Sequence, residues 1–364
     1  MAYAELDYHL AAATKLKLAY DYEKITHTYE PTSGDQEHTL KAEVKHKFND
    51  TASGGLAYAY SDRNASAYNG TDPLFATYSA TYLASLCVAP NTFLYNGVVT
   101  NCSATASATS RATIPFLDTP ALRKFFLTDR QRNKLHAFAN ISPSEKLDLQ
   151  LGASFYNDKY PDTEAGFGLT RATGWSANFD ASLAASDTLS GNFFASFEDY
   201  KTDQNGHNGA SSATAPAITT LDRQDNTAAF DPLTGVTTRT GRSLTVGLGF
   251  RVKPGGRYEW GGDITHATTT GSTSFRDIGS RIAAAVLPLP DEISRLSRLE
   301  LFGKYRLQKN VLLNLKYIFE QYHSTDWGYD GLTLTSSSSF VGSGQTSPKY
   351  RVHAIGASVT YRFR

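Results

Sequence analysis

The carboxyl-terminal stretch 350–364 alternates with a period of two. From Ile355 onward Ile355, Ala357, Val359, Tyr361 and Phe363 are apolar, and Ala354, Gly356, Ser358, Thr360 and Arg362 between them are small or polar. One face suits lipid and the other suits water, which is the dyad pattern of a transmembrane β-strand. Phe363 stands beside the carboxyl end, with Tyr361 and Val359 two and four residues before it. Together with Gly356, these residues have the form of the carboxyl-terminal signal that barrel-assembly machinery reads.

Such a strand constrains the fold only if it recurs, and it does. Residues 15–25 set Leu16, Leu18, Tyr20 and Tyr22 against Lys15, Lys17, Asp21 and Glu23. Residues 39–48 oppose Leu40, Ala42 and Val44 to Lys41, Glu43 and Lys45, and 146–156 oppose Leu147, Leu149, Leu151, Ala153 and Phe155 to Lys146, Asp148, Gln150 and Ser154. The segments 175–184, 189–200, 244–252, 257–266, 299–307 and 311–322 continue the series. Weaker candidates at 2–10, 51–60 and 130–141, with the terminal strand, bring the expected number to thirteen.

The connections alternate in length. Short ones fall at 11–14, 49–50, 142–145, 186–188, 254–255 and 308–310; long ones at 30–36, 69–128, 157–171, 205–240, 276–295 and 328–349. Short periplasmic turns and long extracellular loops mark outer-membrane barrels, whereas a β-sandwich does not sort its loops this way. The expected fold is therefore all-β: a transmembrane antiparallel up-and-down β-barrel in the bacterial outer membrane. Residues 1–364 form one domain, with 69–128 a long extracellular loop within it. Even strand numbers are the rule for bacterial single-chain barrels. Thirteen strands, an opening strand at 2–10 and no export signal before it lead to the expectation of a carboxyl-terminal portion of a larger barrel. A complete barrel of roughly fourteen strands is the alternative.

Composition narrows the rest. No stretch approaches the ~20 apolar residues of a spanning helix, so a membrane protein of this sequence must be a closed barrel. Tyr (21) and Phe (20) are abundant enough for aromatic girdles. Lys+Arg and Asp+Glu balance at 35 each, which argues against a nucleic-acid partner and its basic stripe. Cys87 and Cys102 lie in the same long loop; a disulfide between them would stabilise it by roughly 3 kcal/mol, which an oxidising compartment permits.

Catalytic constellations are weak. Nine histidines are scattered without metal-ligand spacing, and no Cys-x-x-Cys-His attaches a haem to this chain. The Gly342-Ser343-Gly344 stretch lacks the Lys of a phosphate loop. The chain is expected to be no enzyme and to bind neither cofactor nor metal.

One segment is more specific. A strand carrying Tyr317, Glu320 and Tyr322 runs into Asp326-Trp327, then Asp330-Gly331, and the last strand opens with Pro348, Tyr350 and Val352. This resembles the end of the MtrB/PioB family of outer-membrane barrels. The stretches Glu37-His38-Thr39-Leu40-Lys41 and Tyr60-Ser61-Asp62-Arg63 are similar, less specifically, to the family's repeated hairpins. Residue by residue the motif also has structural readings: Asp326-Trp327 as an interfacial anchor, Asp330-Gly331 as a turn, Tyr350 and Val352 as register pins. The chain is shorter than such barrels usually are, lacks the Cys-x-x-Cys of some members, and its Cys87/Cys102 loop matches no family motif.

The resemblance implies a porin-like sheath that holds a periplasmic multihaem c-type cytochrome, so that electrons cross the outer membrane to or from extracellular metal or an extracellular cytochrome. All haem would be carried by the partner. The inward residues Lys15, Lys17, Asp21, Glu23, Lys41, Glu43, Asp148, Glu198, Arg251, Glu300, Lys304, Arg306, Lys316, Glu320 and Arg362 mix both signs. That suits a protein plug, and it equally suits a general or substrate-specific diffusion porin.

Overall fold

The computed structural model describes residues 1–28, 30–68, 92–95, 98–101, 122–161, 167–208, 233–276, 289–327, 330 and 346–363. Its strands are β1 (Ala2–Ala11), β2 (Thr14–Thr26), β3 (Gly34–Asn49), β4 (Ala52–Ala65), β5 (Thr92–Tyr95), β6 (Val98–Asn101), β7 (Leu122–Arg123), β8 (Arg130–Ser144), β9 (Leu147–Lys159), β10 (Phe167–Ser186), β11 (Leu189–Asn208), β12 (Leu233–Gly255), β13 (Tyr258–Arg276), β14 (Glu292–Gln308), β15 (Val311–Thr325) and β16 (Lys349–Tyr361). Thirteen of them form one up-and-down antiparallel wall in the order β1-β2-β3-β4-β8-β9-β10-β11-β12-β13-β14-β15-β16. These are the thirteen that alternation predicts. β5 and β6 make a separate hairpin, and β7 pairs in parallel with β10.

Register turns the alternation of each strand into two continuous faces. A polar row crosses the wall through Lys17, Glu43, Ala57, His136, Ser154, Ser176, Glu198, Ser243, Thr269, Ser294 and Ser324, each opposite the next. An apolar row runs beside it through Tyr8, Leu16, Val44, Leu56, Ala137, Ala153, Ala177, Phe197 and Leu244. A one-residue slip anywhere would exchange the faces. The apolar face is bare in the isolated chain, with Ile355 79% and Val359 66% exposed. Five outward residues of β15, Val311 to Phe319, span about 26 Å along the strand, a match to a lipid-facing band ~25 Å tall once tilt is allowed for.

Several strands outrun that band. β10, β11, β12 and β13 hold 20, 20, 23 and 19 residues, where a transmembrane strand needs ~9–11. The surplus lies at the long-loop end, so the expected loops 157–171, 205–240 and 276–295 begin too early and end too late, and the expected loop 30–36 is displaced from the connection at 27–33. Above the lipid band the outward positions are Thr173, Lys201, Arg242, Thr268 and Thr270. The backbone ladder continues there, but water no longer demands apolar residues. The turn expected at 254–255 falls on Gly255 and Gly256, which take φ of 128° and 37°, a region that glycine enters freely.

Among the described residues no ladder joins β1 to β16. Every residue of both strands is exposed, so the wall has two open edges.

Candidate functional site: the polar wall and its outer mouth

Acidic and basic side chains interleave on the polar face. Glu43 accepts Lys45 at 2.8 Å and Lys41 at 3.3 Å, and Lys17, directly opposite it, pairs with Glu5 at 2.6 Å. Glu259 holds Lys304 and Arg251 at 3.0 and 3.5 Å. Glu300 takes Lys316 at 2.6 Å and Arg298 at 3.1 Å, and Arg298 reaches on to Glu320 at 3.4 Å. Near the outer end Arg132 grips Asp158 with two bonds of 2.8 and 2.6 Å, and Arg130 bridges both oxygens of Glu37. The more exposed of these pairs, at Glu259 and Glu300, each contribute little to stability, whereas Asp158 is fully buried beside Arg132. Collectively they leave a wall that is strongly polar yet locally neutral. No group of three or more His, Cys, Asp or Glu among the described residues is arranged to hold a metal ion.

Aromatic rings on this face lie down against glycine. Phe138 stands opposite Gly55, Tyr156 opposite Gly174, Tyr200 opposite Gly241, Phe194 opposite Gly247 and Phe302 opposite Gly261. A Cβ on any of these glycines would meet the facing ring at 2.2–2.8 Å. The missing side chain is the recess into which the ring folds, as in cross-strand rescue of strand glycines. The rings thus cover backbone and stay close to the wall.

The outer mouth is crossed by a strap. Leu122 and Arg123 pair with Phe167 and Gly168 at the start of β10, and the chain then runs through 124–129 to β8, whose neighbours are β4 and β9. It therefore passes the end of β9. Gly168, with φ 133°, allows this approach, because a Cβ there would sit 2.6 Å from the Arg123 carbonyl. Arg63, buried on the polar face of β4, donates from Nε to the Thr128 carbonyl at 3.0 Å and from Nη2 to the Phe125 carbonyl. The Ala65 amide donates to Asp129 at 2.7 Å, and Lys124 approaches Glu30 at 3.6 Å. Leu127 and Thr128 are fully buried, while Phe125 and Phe126 remain exposed in an edge-to-face pair at 5.5 Å. Tyr160, just past β9, is buried here, and that burial raises its phenol pKa.

The motif residues near the carboxyl end divide among three places. Tyr317 lies on the apolar face and shares a hydrogen bond with His353 Nδ1 at 2.9 Å. Glu320 and Tyr322 lie on the polar face, where the Tyr350 hydroxyl donates to Glu320 at 2.8 Å and its ring stacks on Tyr322 at 5.4 Å; Val352 stands opposite Glu320. Asp326 and Asp330 lie at the base of the last long loop. The Asp330 carboxylate accepts the Ser347 amide (3.0 Å), the Ser347 hydroxyl (2.7 Å) and the Asp326 amide (3.2 Å), and these donors hold its pKa below the usual carboxylate range. The Pro348 carbonyl accepts from the Ser324 amide. Trp327 is partly exposed at the same level. Gly356 is open on the polar face, and Val359, Tyr361 and Phe363 are exposed on the apolar one. Gly331, Cys87 and Cys102 lie outside the described residues.

The earlier pair of stretches does come together. Glu37 to Leu40 of β3 pair in register with Arg63 to Tyr60 of β4, and Thr39 and Ser61 share a 2.8 Å hydrogen bond. What sequence alone misses is the strap and the role of Arg63. The available signal is a cation of inward parity just above the lipid band.

Comparison with known proteins places this wall. Residues 2–363 match the family model described as outer membrane beta-barrel porin, MtrB/PioB. The outer membrane protein MtrB of Shewanella baltica (strain OS185) is 23% identical over 241 residues, covering 66% of this chain and 31% of that protein. The aligned part thus spans less than a third of that relative's length. Among solved structures, a mutant of the ferric enterobactin receptor PfeA from Pseudomonas aeruginosa superposes with a TM-score of 0.51 at 11% identity, covering 86% of this chain and 40% of that one. The closed form of the ferric-catecholate import receptor Fiu from E. coli K12 gives 0.50 at 11% identity, covering 97% and 53%. At such identities the structural likeness speaks only to the fold, an outer-membrane barrel. The family match over nearly the whole length, on a wall with one lipid face and one polar face, establishes that this chain belongs to the MtrB/PioB family of outer-membrane β-barrel porins.

Proposed function

We propose that this barrel wall is a sheath for a multihaem c-type cytochrome that enters from the periplasm, so that electrons cross the outer membrane to or from extracellular metal or an outer cytochrome. The thirteen strands are then one arc of a wider wall, completed by further strands at its open edges. The chain binds no cofactor itself; the haems are the partner's. Outer-membrane lipid and the barrel-assembly machinery are its other partners, the latter through Gly356, Val359, Tyr361 and Phe363.

The observation that carries this reading is the self-neutralised polar face. A pore selective for small ions would concentrate one sign of charge, whereas here acids and bases alternate along the wall: Glu5 and Glu43 among Lys17, Lys41 and Lys45, and Glu300 and Glu320 among Arg298 and Lys316. A wall of alternating sign complements the mixed surface of a folded protein and fixes its register with little net attraction. The rings folded against glycine keep the wall clear for such a body.

The test is co-expression of the protein with a periplasmic multihaem c-type cytochrome, followed by purification and reconstitution into vesicles holding a reducible dye. Retention of the cytochrome, and dye reduction from outside only when both proteins are present, supports the sheath. An open-channel conductance with no cytochrome retained, and no dye reduction, overturns it in favour of a diffusion porin.

A further inference from the structure

Above the lipid band on the outer face, β14, β15 and β16 bring basic side chains together. Arg295 stands opposite His323 and His323 opposite Lys349; one step nearer the band, Gln321 stands opposite Arg351. The last apolar row beneath is Leu299–Phe319, with His353 opposite Phe319. All five residues share the face of Phe319, because they follow it at even spacing in register. Arg295, Lys349 and Arg351 are exposed, and His323 is half-buried with its Nδ1 buried and without a partner. No described carboxylate forms an ion pair with any of them. Asp326 and Asp330 lie past the end of β15 at the loop base, where the Asp330 carboxylate accepts from Ser347 and from the Asp326 amide. Glu320 and Glu300 belong to the opposite face, as does the stacked Tyr322–Tyr350 pair.

Arg295 and Lys349 flank His323 from the two neighbouring strands, and no acidic residue stands opposite any member of the row. Elsewhere this chain interleaves its charges, as around Glu43 and Glu300. A basic row with no ion pair to a described carboxylate, facing away from the lumen and one to two residue pairs beyond the apolar band, is placed where lipid headgroups meet the wall. We propose that Arg295, His323, Lys349 and Arg351 form a docking surface for the phosphate groups of a phosphorylated glycolipid in the outer leaflet. The guanidinium groups of Arg295 and Arg351 supply planar forks for phosphate and Lys349 a compact charge. Height selects the occupant, since the acyl chains of a lipid bound here lie along Phe319, Tyr317 and Ile355 just below. This inference is independent of what fills the lumen.

The experiment uses the purified full chain in a neutral detergent. Its probes are a bis-phosphorylated lipid A, the same lipid stripped of phosphate, a phosphatidylcholine of matched chain length, and inorganic phosphate. Retention of lipid is read by native mass spectrometry. The expected result is selective retention of the phosphorylated lipid. An R295Q/K349Q/R351Q variant should hold it roughly a hundredfold more weakly, about fivefold per lost cation. Equal retention of the dephosphorylated lipid or of phosphatidylcholine by the unaltered protein overturns the proposal without reference to any variant. So does displacement by inorganic phosphate at equal concentration, which would make the row a free-anion site. Undiminished binding by a variant that keeps the heat-modifiable gel mobility of a folded barrel overturns it as well.

Discussion

The guanidinium of Arg63 holds the carbonyl of Thr128 at 3.0 Å across sixty-five residues of chain. This bond and its companion to Phe125 fasten the end of the longest loop to the inner wall, in a spot where Thr128 has no exposed surface. Hydrogen bonds to a charged donor contribute ~1.5–3 kcal/mol, enough to keep a short strap seated. Arg63→Ala should therefore raise the single-channel conductance of the reconstituted protein and increase amide exchange over 124–129. Arg63→Lys should behave nearly the same, since one ammonium cannot reproduce the fork. Unchanged exchange in both variants would mean that the strap is held by its β10 pairing alone.

The aromatic–glycine pairs predict a steric effect that is reversible by a second substitution. Gly247→Ala would place a methyl group 2.2 Å from the Phe194 ring. Overpacking of this kind costs about 1–3 kcal/mol, and it turns the ring off the wall. The midpoint of unfolding in urea should fall, and Phe194→Ala in the same chain should restore most of the loss. Additive losses in the double variant would show that the ring does not rest on the glycine.

Glu43 separates Lys41 from Lys45 and faces Lys17. Glu43→Lys would leave four lysines together on the polar face. If that face lines the lumen, the reversal potential in a salt gradient should move towards anion selectivity, and the move should shrink at high ionic strength as screening sets in. No shift at low salt would place the face outside the ion path.

Asp330 supplies a dependence on pH. Its carboxylate pKa is lowered mainly by the Ser347 hydroxyl and then by the Ser347 and Asp326 amides. A depressed pKa means that the clasp contributes its full stability above the unfolded carboxyl pKa and loses it as pH falls through the folded value. Protection of the Ser347 amide should therefore decline at acid pH, below the ordinary carboxylate range. Asp330→Asn should flatten that profile. A protection factor independent of pH in the unaltered protein would remove Asp330 from the clasp.

Much of this wall could be read directly from sequence because a transmembrane strand obeys two solvents at once. Leu147, Leu149 and Leu151 face lipid while Asp148 and Gln150 face water, and the period of two follows. Above the lipid band only one solvent remains. The stretches 167–171 and 233–240 are strand without alternating apolar residues, so they read as loop. The motif of Tyr317, Glu320, Tyr322, Asp326, Asp330, Pro348 and Tyr350 is contiguous in sequence but splits between the lipid face, the lumen face and the loop base. Parity separates Tyr317 from Glu320. The Asp330–Ser347 clasp, by contrast, depends on how a long loop returns, and no local pattern encodes that. The Arg63 strap was hidden for the same reason.

The bare edges of β1 and β16 carry a further consequence. Thirteen residues of β16 and ten of β1 present alternate amide and carbonyl groups with no described partner. In hydrocarbon each such group costs several kcal/mol, and in water an uncovered edge is a template for another strand. The same edges that a membrane cannot tolerate make the chain adhesive in solution. Whatever strand reaches β16 first, whether correct or foreign, gains a ready-made ladder, and the exposed Ile355, Val359 and Tyr361 reward it with an apolar face.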